Sequence, residues 1–88
     1  MRTHSNNIER WAREAILQAE VETLADGRIF ARVPSCVGAV ATGGDEREAL
    51  DNLFGVLQDW ALVGMRLKDD IPVIGEVNLN TDDARQLA

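Results

Sequence analysis

The sequence predicts an α+β fold: an N-terminal helix, then β-β-β-α-β, with an antiparallel three- to four-stranded sheet packed on one long helix. Three observations carry this expectation. Apolar residues recur at helical spacing near the N-terminus and again from Ala49 to Leu67. Between these stretches the period falls to two, across an Asp26-Gly27 turn signal. The 88 residues suffice for one small domain and one core. The chain divides into an N-terminal helix over 6–17, a β-β-β-α-β core over 18–74 and a tail over 75–88.

The first helix is predicted from its start signal and its stripe. Asn6 is placed to cap the first turn and Glu9, three residues on, to complete a capping box. Ile8, Trp11, Ala12, Ala15 and Ile16 then fall on one face. From Gln18, Ala19, Val21 and Thr23 alternate with Glu20 and Glu22, and after the turn Ile29, Ala31 and Val33 alternate with Phe30 and Arg32. Parity sets the hairpin register. An odd loop keeps the apolar residues of both strands on one face, whereas an even loop puts Glu22 among them. A loop of Asp26 to Arg28 pairs Val21 with Val33 and Thr23 with Ala31, and leaves Glu22–Arg32 and Leu24–Phe30 on the other face. Phe30 then faces away from the core, so helix 1 or another subunit is expected to cover it.

Pro34 stops the second strand, and Ser35 to Gly38 connect it to a short third strand, Ala39 to Thr42. Gly43-Gly44 breaks that strand. Asp45 and Glu48 are a strong helix start, an N-cap with a capping-box acid. The stripe that follows comprises Ala49, Leu50, Leu53, Phe54, Leu57, Trp60, Ala61, Gly64 and Leu67, about six turns long. Gly55 and Gly64 lie inside this helix, where glycine often admits another backbone, and Lys68 suits its last turn. Ile71-Pro72-Val73-Ile74 is expected as a fourth strand, at an edge or very short because Pro72 has no N–H. Val77 to Leu79 is a further extended piece, and Thr81 to Ala88 is polar and frayed.

Charge and composition exclude several functions. Fifteen acidic against nine basic residues give −6, and the arginines are scattered without a basic stripe, which argues against direct nucleic-acid binding. No run reaches the roughly 20 apolar residues of a membrane span, and Met1 to Asn7 has no signal-peptide core. The single thiol, Cys36, fits a reducing, cytoplasmic setting and allows neither an internal disulfide nor a cysteine-built zinc site. Cys36 lacks a neighbouring base, and His4, the only imidazole, precedes the first cap. Asp69-Asp70 and Asp82-Asp83 read as solvated doublets, and Glu20 and Glu22 lack a converging set of acids for two-metal hydrolysis. Gly43-Gly44-Asp45 opens a helix but carries acids that repel phosphate and no P-loop lysine. No catalytic, metal or cofactor site is expected.

One ordered set of residues resembles a known family. Over 28–74 the chain carries Phe30 in a strand, Pro34, Gly38, a short strand, Gly43-Gly44-Asp45, Glu48-Ala49-Leu50, Asn52-Leu53, Trp60 and Ile71-Pro72. This order resembles the HicB antitoxin family, most closely its short, stand-alone bacterial members. The resemblance implies a truncated ribonuclease H-like β-β-β-α-β fold. It implies a type II antitoxin that binds and blocks a small basic HicA-like toxin, an mRNA-cleaving ribonuclease, and that forms dimers or tetramers. Many members add a C-terminal DNA-binding domain; the 14 residues after Ile74 are too few for one, so autorepression is not implied. Members often carry Cys just after the Gly, whereas here Cys36 precedes Gly38 and Ala39 follows it. Pro34, Gly38, Asp45, Trp60 and Pro72 look like fold determinants. For the partner interface the candidates are the exposed acids Glu22, Glu46, Asp51 and Asp59, together with Phe30. The rival reading is an orphan homo-oligomeric binding or scaffolding module without a toxin.

Overall fold

The structure, a computed structural model, describes residues 3–80, with side chains from Asn7 onward. Its elements are α1 (Thr3–Ile16), β1 (Glu20–Thr23), β2 (Ile29–Arg32), β3 (Val40–Gly43) and α2 (Glu46–Arg66). The three strands form one antiparallel sheet in the order β1-β2-β3, and α2 packs on it, which is the predicted fold class. α1 packs on α2. Ala49, Leu53, Leu57 and Ala61 of α2 are spaced four apart and fully buried, and they meet Ala31 and Val33 of the β2 segment in one core. α1 contributes Trp11, Ala12 and Ala15, all at 0% exposure.

α1 begins three residues before the predicted cap, so Asn6 lies inside the helix. Once Trp11 and its neighbours anchor one face, each added N-terminal residue extends an existing helix, and a polar Asn is a weak barrier. His4 lies outside the described side chains.

The hairpin keeps the predicted parity but slides by two residues. The observed pairs are Glu20↔Arg32, Val21↔Ala31, Glu22↔Phe30 and Thr23↔Ile29. The loop is therefore Ala25 to Gly27, closed by Leu24 N–H to Arg28 O at 2.8 Å and Gly27 N–H to Leu24 O at 2.9 Å. A three-residue loop wants its left-handed residue last, and Gly27 holds φ 92° there. The predicted Glu22–Arg32 pair is thus replaced by a Glu20–Arg32 salt bridge at 3.2 Å, and Leu24 is not directly opposite Phe30.

Two tight turns join β2 to β3. Pro34 follows Val33 in the first, closed by Cys36 N–H to Val33 O at 2.9 Å. Gly38 sits third in the second at φ 95°, a value that turn geometry demands, closed by Ala39 N–H to Cys36 O at 3.0 Å. Gly43 then lets the end of β3 press on the start of α2: a Cβ there would lie 2.4 Å from the Ala49 nitrogen. Asp45 caps α2, accepting from Glu48 N–H at 2.8 Å, while the Glu48 carboxylate takes Gly44 N–H. Asn52 Nδ2 donates to Thr42 O at 2.9 Å, tying α2 to β3.

α2 ends earlier than its stripe. Leu67 is its C-cap and is exposed, and Lys68 lies just beyond at φ 62°. Lys68 N–H bonds Met65 O and Asp69 N–H bonds Gly64 O, the paired bonds of a Schellman turn.

The predicted fourth strand does not join the sheet. Ile74 pairs instead with Val77 across Gly75 and Glu76, both at positive φ as a type I′ turn requires. The partners of Ile71 explain the difference. Its N–H donates to Asn80 Oδ1 at 2.7 Å and its C=O accepts from Asn80 Nδ2, so one side-chain amide occupies both groups a ladder would need. Pro72 has no N–H, and its carbonyl is taken by the Trp11 indole at 2.7 Å. Residues 75–80, assigned to the tail, consequently belong to the folded unit: Val77 and Leu79 are buried with Ile71 and Ile74. Residues 81–88 lie outside the described residues.

Candidate functional site

Two surfaces stand out, and both are apolar patches edged by acids. The first is the outer face of the sheet. Glu22, Phe30 and Thr42 form one row across the three strands, with Glu20, Arg32 and Val40 beside it. Phe30 and Leu24 are half-buried but pack outside the core cluster, and Val40 is exposed. α1 lies against α2 rather than on this face, so of the two covers expected for Phe30, helix 1 or another subunit, helix 1 is not the one. The helix follows Trp11, whose ring belongs to the opposite layer.

The second surface is a groove of about 550 Å³ beside the C-terminal half of α2. Its walls are Val37, Val56, Trp60, Val63 and Ile71, and Asp59, Asp69 and Asp70 edge it. Two tryptophans build it. Trp60 of α2 stacks on Trp11 of α1, ring centres 6.0 Å apart and planes 6° from parallel. Trp60 Nε1 donates to Val37 O at 3.0 Å, which fixes the β2–β3 connection as one wall. The Trp11 indole holds Pro72, which fixes the segment carrying Ile71 as the other. Gly64 lets Ile71 lie against α2: a Cβ there would fall 2.6 Å from Ile71 Cδ1.

The five residues expected at the partner interface fall in three places. Glu22 and Phe30 are directly opposite each other on the outer sheet face. Glu46 and Asp51 lie on the N-terminal half of α2, in a shallow depression with Ile16 and Leu50, and Asp51 leans toward Arg47 at 3.9 Å. Asp59 alone edges the groove. The sequence reading missed Val37, Val56, Val63 and the role of Asp69-Asp70. A signal was present: Val56 and Val63 are apolar, seven residues apart and off the buried stripe of α2.

Groups that could do chemistry are dispersed. Cys36 is buried, its Sγ 4.0 Å from Ser35 Oγ, and burial pushes the thiol pKa up, opposite to what a nucleophile needs. Glu20 is engaged by Arg32. Among the described residues no three His, Cys, Asp or Glu side chains gather where they could hold a metal ion. The Arg28 N–H and guanidinium at the hairpin loop hold the Asp26 carboxyl below the usual carboxylate range. Among the described residues no helix is long and apolar enough to cross a membrane.

Comparison with known proteins places this arrangement. The model of the family described as UPF0150-like matches residues 10–72, from α1 through both tryptophans to Pro72. The chain belongs to the UPF0150-like family. HicB-like domains are the related group, so the resemblance drawn from 28–74 holds at the level of the UPF0150-like and HicB-like domains together. A similar fold is seen in the crystal structure of TTHA0281 from Thermus thermophilus. That chain is 32% identical over 82% of this chain and 90% of its own, with a TM-score of 0.72. A search of curated proteins finds no match.

Proposed function

We propose that this chain is a HicB-type antitoxin: it binds a small basic toxin, covers that toxin's RNA-cleaving surface and performs no catalysis of its own. The observation that carries this reading is a net charge of −6 on a UPF0150-like domain. An acidic surface steers and holds a basic partner, and burying the partner's reactive surface suffices to silence it. The buried, raised-pKa thiol and the engaged Glu20 favour recognition over chemistry.

The test starts from the genes beside this one. A short neighbouring frame encoding a basic protein is coexpressed with this chain, and the pair is separated and recombined. RNA cleavage by the isolated partner is expected to fall to background at a one-to-one ratio. Cleavage that continues undiminished in an excess of this chain refutes the proposal.

The outer sheet face favours a second element, self-association into a dimer or tetramer. Phe30, Leu24 and Val40 gather there without joining the core. This surface would also serve an orphan scaffolding module, the reading to adopt if no toxin exists. Light scattering across a concentration series decides it: wild type should exceed the monomer mass, and Phe30→Ser should return it to the monomer. A wild-type monomer throughout removes this element.

A further inference from the structure

We propose that the groove between α2 and the Asp69–Ile71 segment is the docking site for a basic partner. Its occupant is a protein segment with an apolar side chain between flanking Lys or Arg residues. The apolar side chain enters between Val37, Trp60 and Val63. The flanking cations meet Asp59 on one edge and Asp69-Asp70 on the other. This inference rests on the antitoxin reading only in supposing that a basic partner exists.

Charge complementarity selects the occupant. Four acids outside the groove have arginine partners, Glu9 with Arg13, Glu20 with Arg32, Asp26 with Arg28 and Asp51 with Arg47, while others such as Glu22 and Glu46 have none among the described residues; what sets the groove apart is three carboxylates around one apolar wall. Asp59, Asp69 and Asp70 have no ion-pair partner among the described residues, although Arg66 and Lys68 are close by in sequence. The carboxyl end of α2 lies beside Asp69, on the Asp69-Asp70 edge, and adds negative potential there. A second copy seated here would bring its own three acids against these three, which like-charge repulsion disfavours. An anionic lipid surface is disfavoured for the same reason.

The groove is also built to receive a side chain without rearrangement. Trp60 is held on one side by Trp11 and at its N–H by Val37 O. Ile71 is held at both backbone groups by Asn80. Fixed walls lower the ordering cost of binding. The apolar wall is nonetheless open to solvent, with Val37 82% and Val63 53% exposed.

The test maps a peptide onto the full-length chain. Isotope-labelled protein is titrated by NMR with the end-capped peptide Lys-Lys-Leu-Leu-Lys-Lys, and in parallel with versions carrying Ser for Leu or Glu for Lys. Saturable shifts at Val37, Asp59, Val63, Asp69 and Asp70 are expected with the first peptide only. The dissociation constant should rise at least about tenfold between about 50 mM and about 500 mM salt, and again in the Asp59→Asn, Asp69→Asn, Asp70→Asn triple variant. Val63→Lys, at a half-exposed position near the carboxyl end of α2 where a cation suits the helix dipole, provides a second disruption by removing the apolar wall and repelling the peptide's lysines. Shifts centred on Phe30 and Glu22, an unchanged affinity in both variants, or no saturable binding would each overturn the assignment. If toxin inhibition survives alongside any of these results, the antitoxin reading stands and only the groove falls. If the groove binds the peptide but no toxin is inhibited, only the antitoxin reading falls.

Discussion

Gly55 gives the sharpest test of the fold because its effect follows from one residue and one environment. It lies in the middle of α2, is exposed, and a Cβ built on it would meet nothing within 4 Å. Its φ is not in the left-handed region, so alanine fits without strain. Helix-interior glycine is about 0.8–1.0 kcal/mol less favourable than alanine, largely through the freedom it gives the unfolded chain. Gly55→Ala should therefore stabilise the domain by about 1 kcal/mol. For a domain of this size that is roughly 4–8 °C in Tm. Thermal melts followed by circular dichroism, at low and high protein concentration, read it directly. An unchanged or lower Tm would refute the reasoning. A loss that grows with concentration would put another copy's backbone against α2 at this glycine.

Further predictions follow from the same geometry. Gly43→Ala drives a Cβ to within 2.4 Å of the Ala49 backbone nitrogen and should destabilise by about 1–3 kcal/mol, read as a lower urea midpoint. Lys68→Gly relieves the positive φ of 62° at the end of α2 and should stabilise by about 1 kcal/mol in the same assay. Asn80→Ala strips both partners from the Ile71 backbone and should cost about 1–3 kcal/mol, with faster amide exchange at Ile71 than in the wild type. Cys36 should react slowly with a thiol reagent until urea unfolds the chain. Because burial raises its pKa, the folded state holds the proton more tightly than the unfolded state. Its contribution to stability is thus fully present below the ordinary thiol range and is lost as pH rises through the folded pKa. A Cys36→Ala chain should show less of this alkaline loss in pH-dependent melts.

The fold class was legible because its signals are local and repeated. The Asp45–Glu48 cap and the four-residue spacing of Ala49, Leu53, Leu57 and Ala61 leave little freedom for α2. Strand parity likewise follows from which residues are apolar. The hairpin register was not settled by parity, because a shift of two preserves both faces. It was settled by where Gly27 must stand in its loop. The fourth strand failed for a non-local reason. A Pro-containing apolar tetrapeptide reads as an edge strand, but its partners here are a side-chain amide nine residues on and an indole 61 residues back.

The groove was harder to read because none of its parts is unusual alone. Asp69-Asp70 in sequence is a solvated doublet. It becomes one edge of a surface because the Schellman turn at Lys68 reverses the chain and Asn80 holds Ile71 against α2. Trp11 and Trp60, 49 residues apart in the chain, each read as core, and Trp11 is. Their stack also sets the spacing between the Val37 and Ile71 walls, since each indole N–H holds the backbone of one wall. The same contacts that close the domain therefore shape the surface. Substituting Trp11 should loosen both, whereas Val63→Lys should remove the groove's apolar wall and change the melt little, since a cation suits the carboxyl end of α2. The surface and the fold are separable at Val63 and inseparable at Trp11.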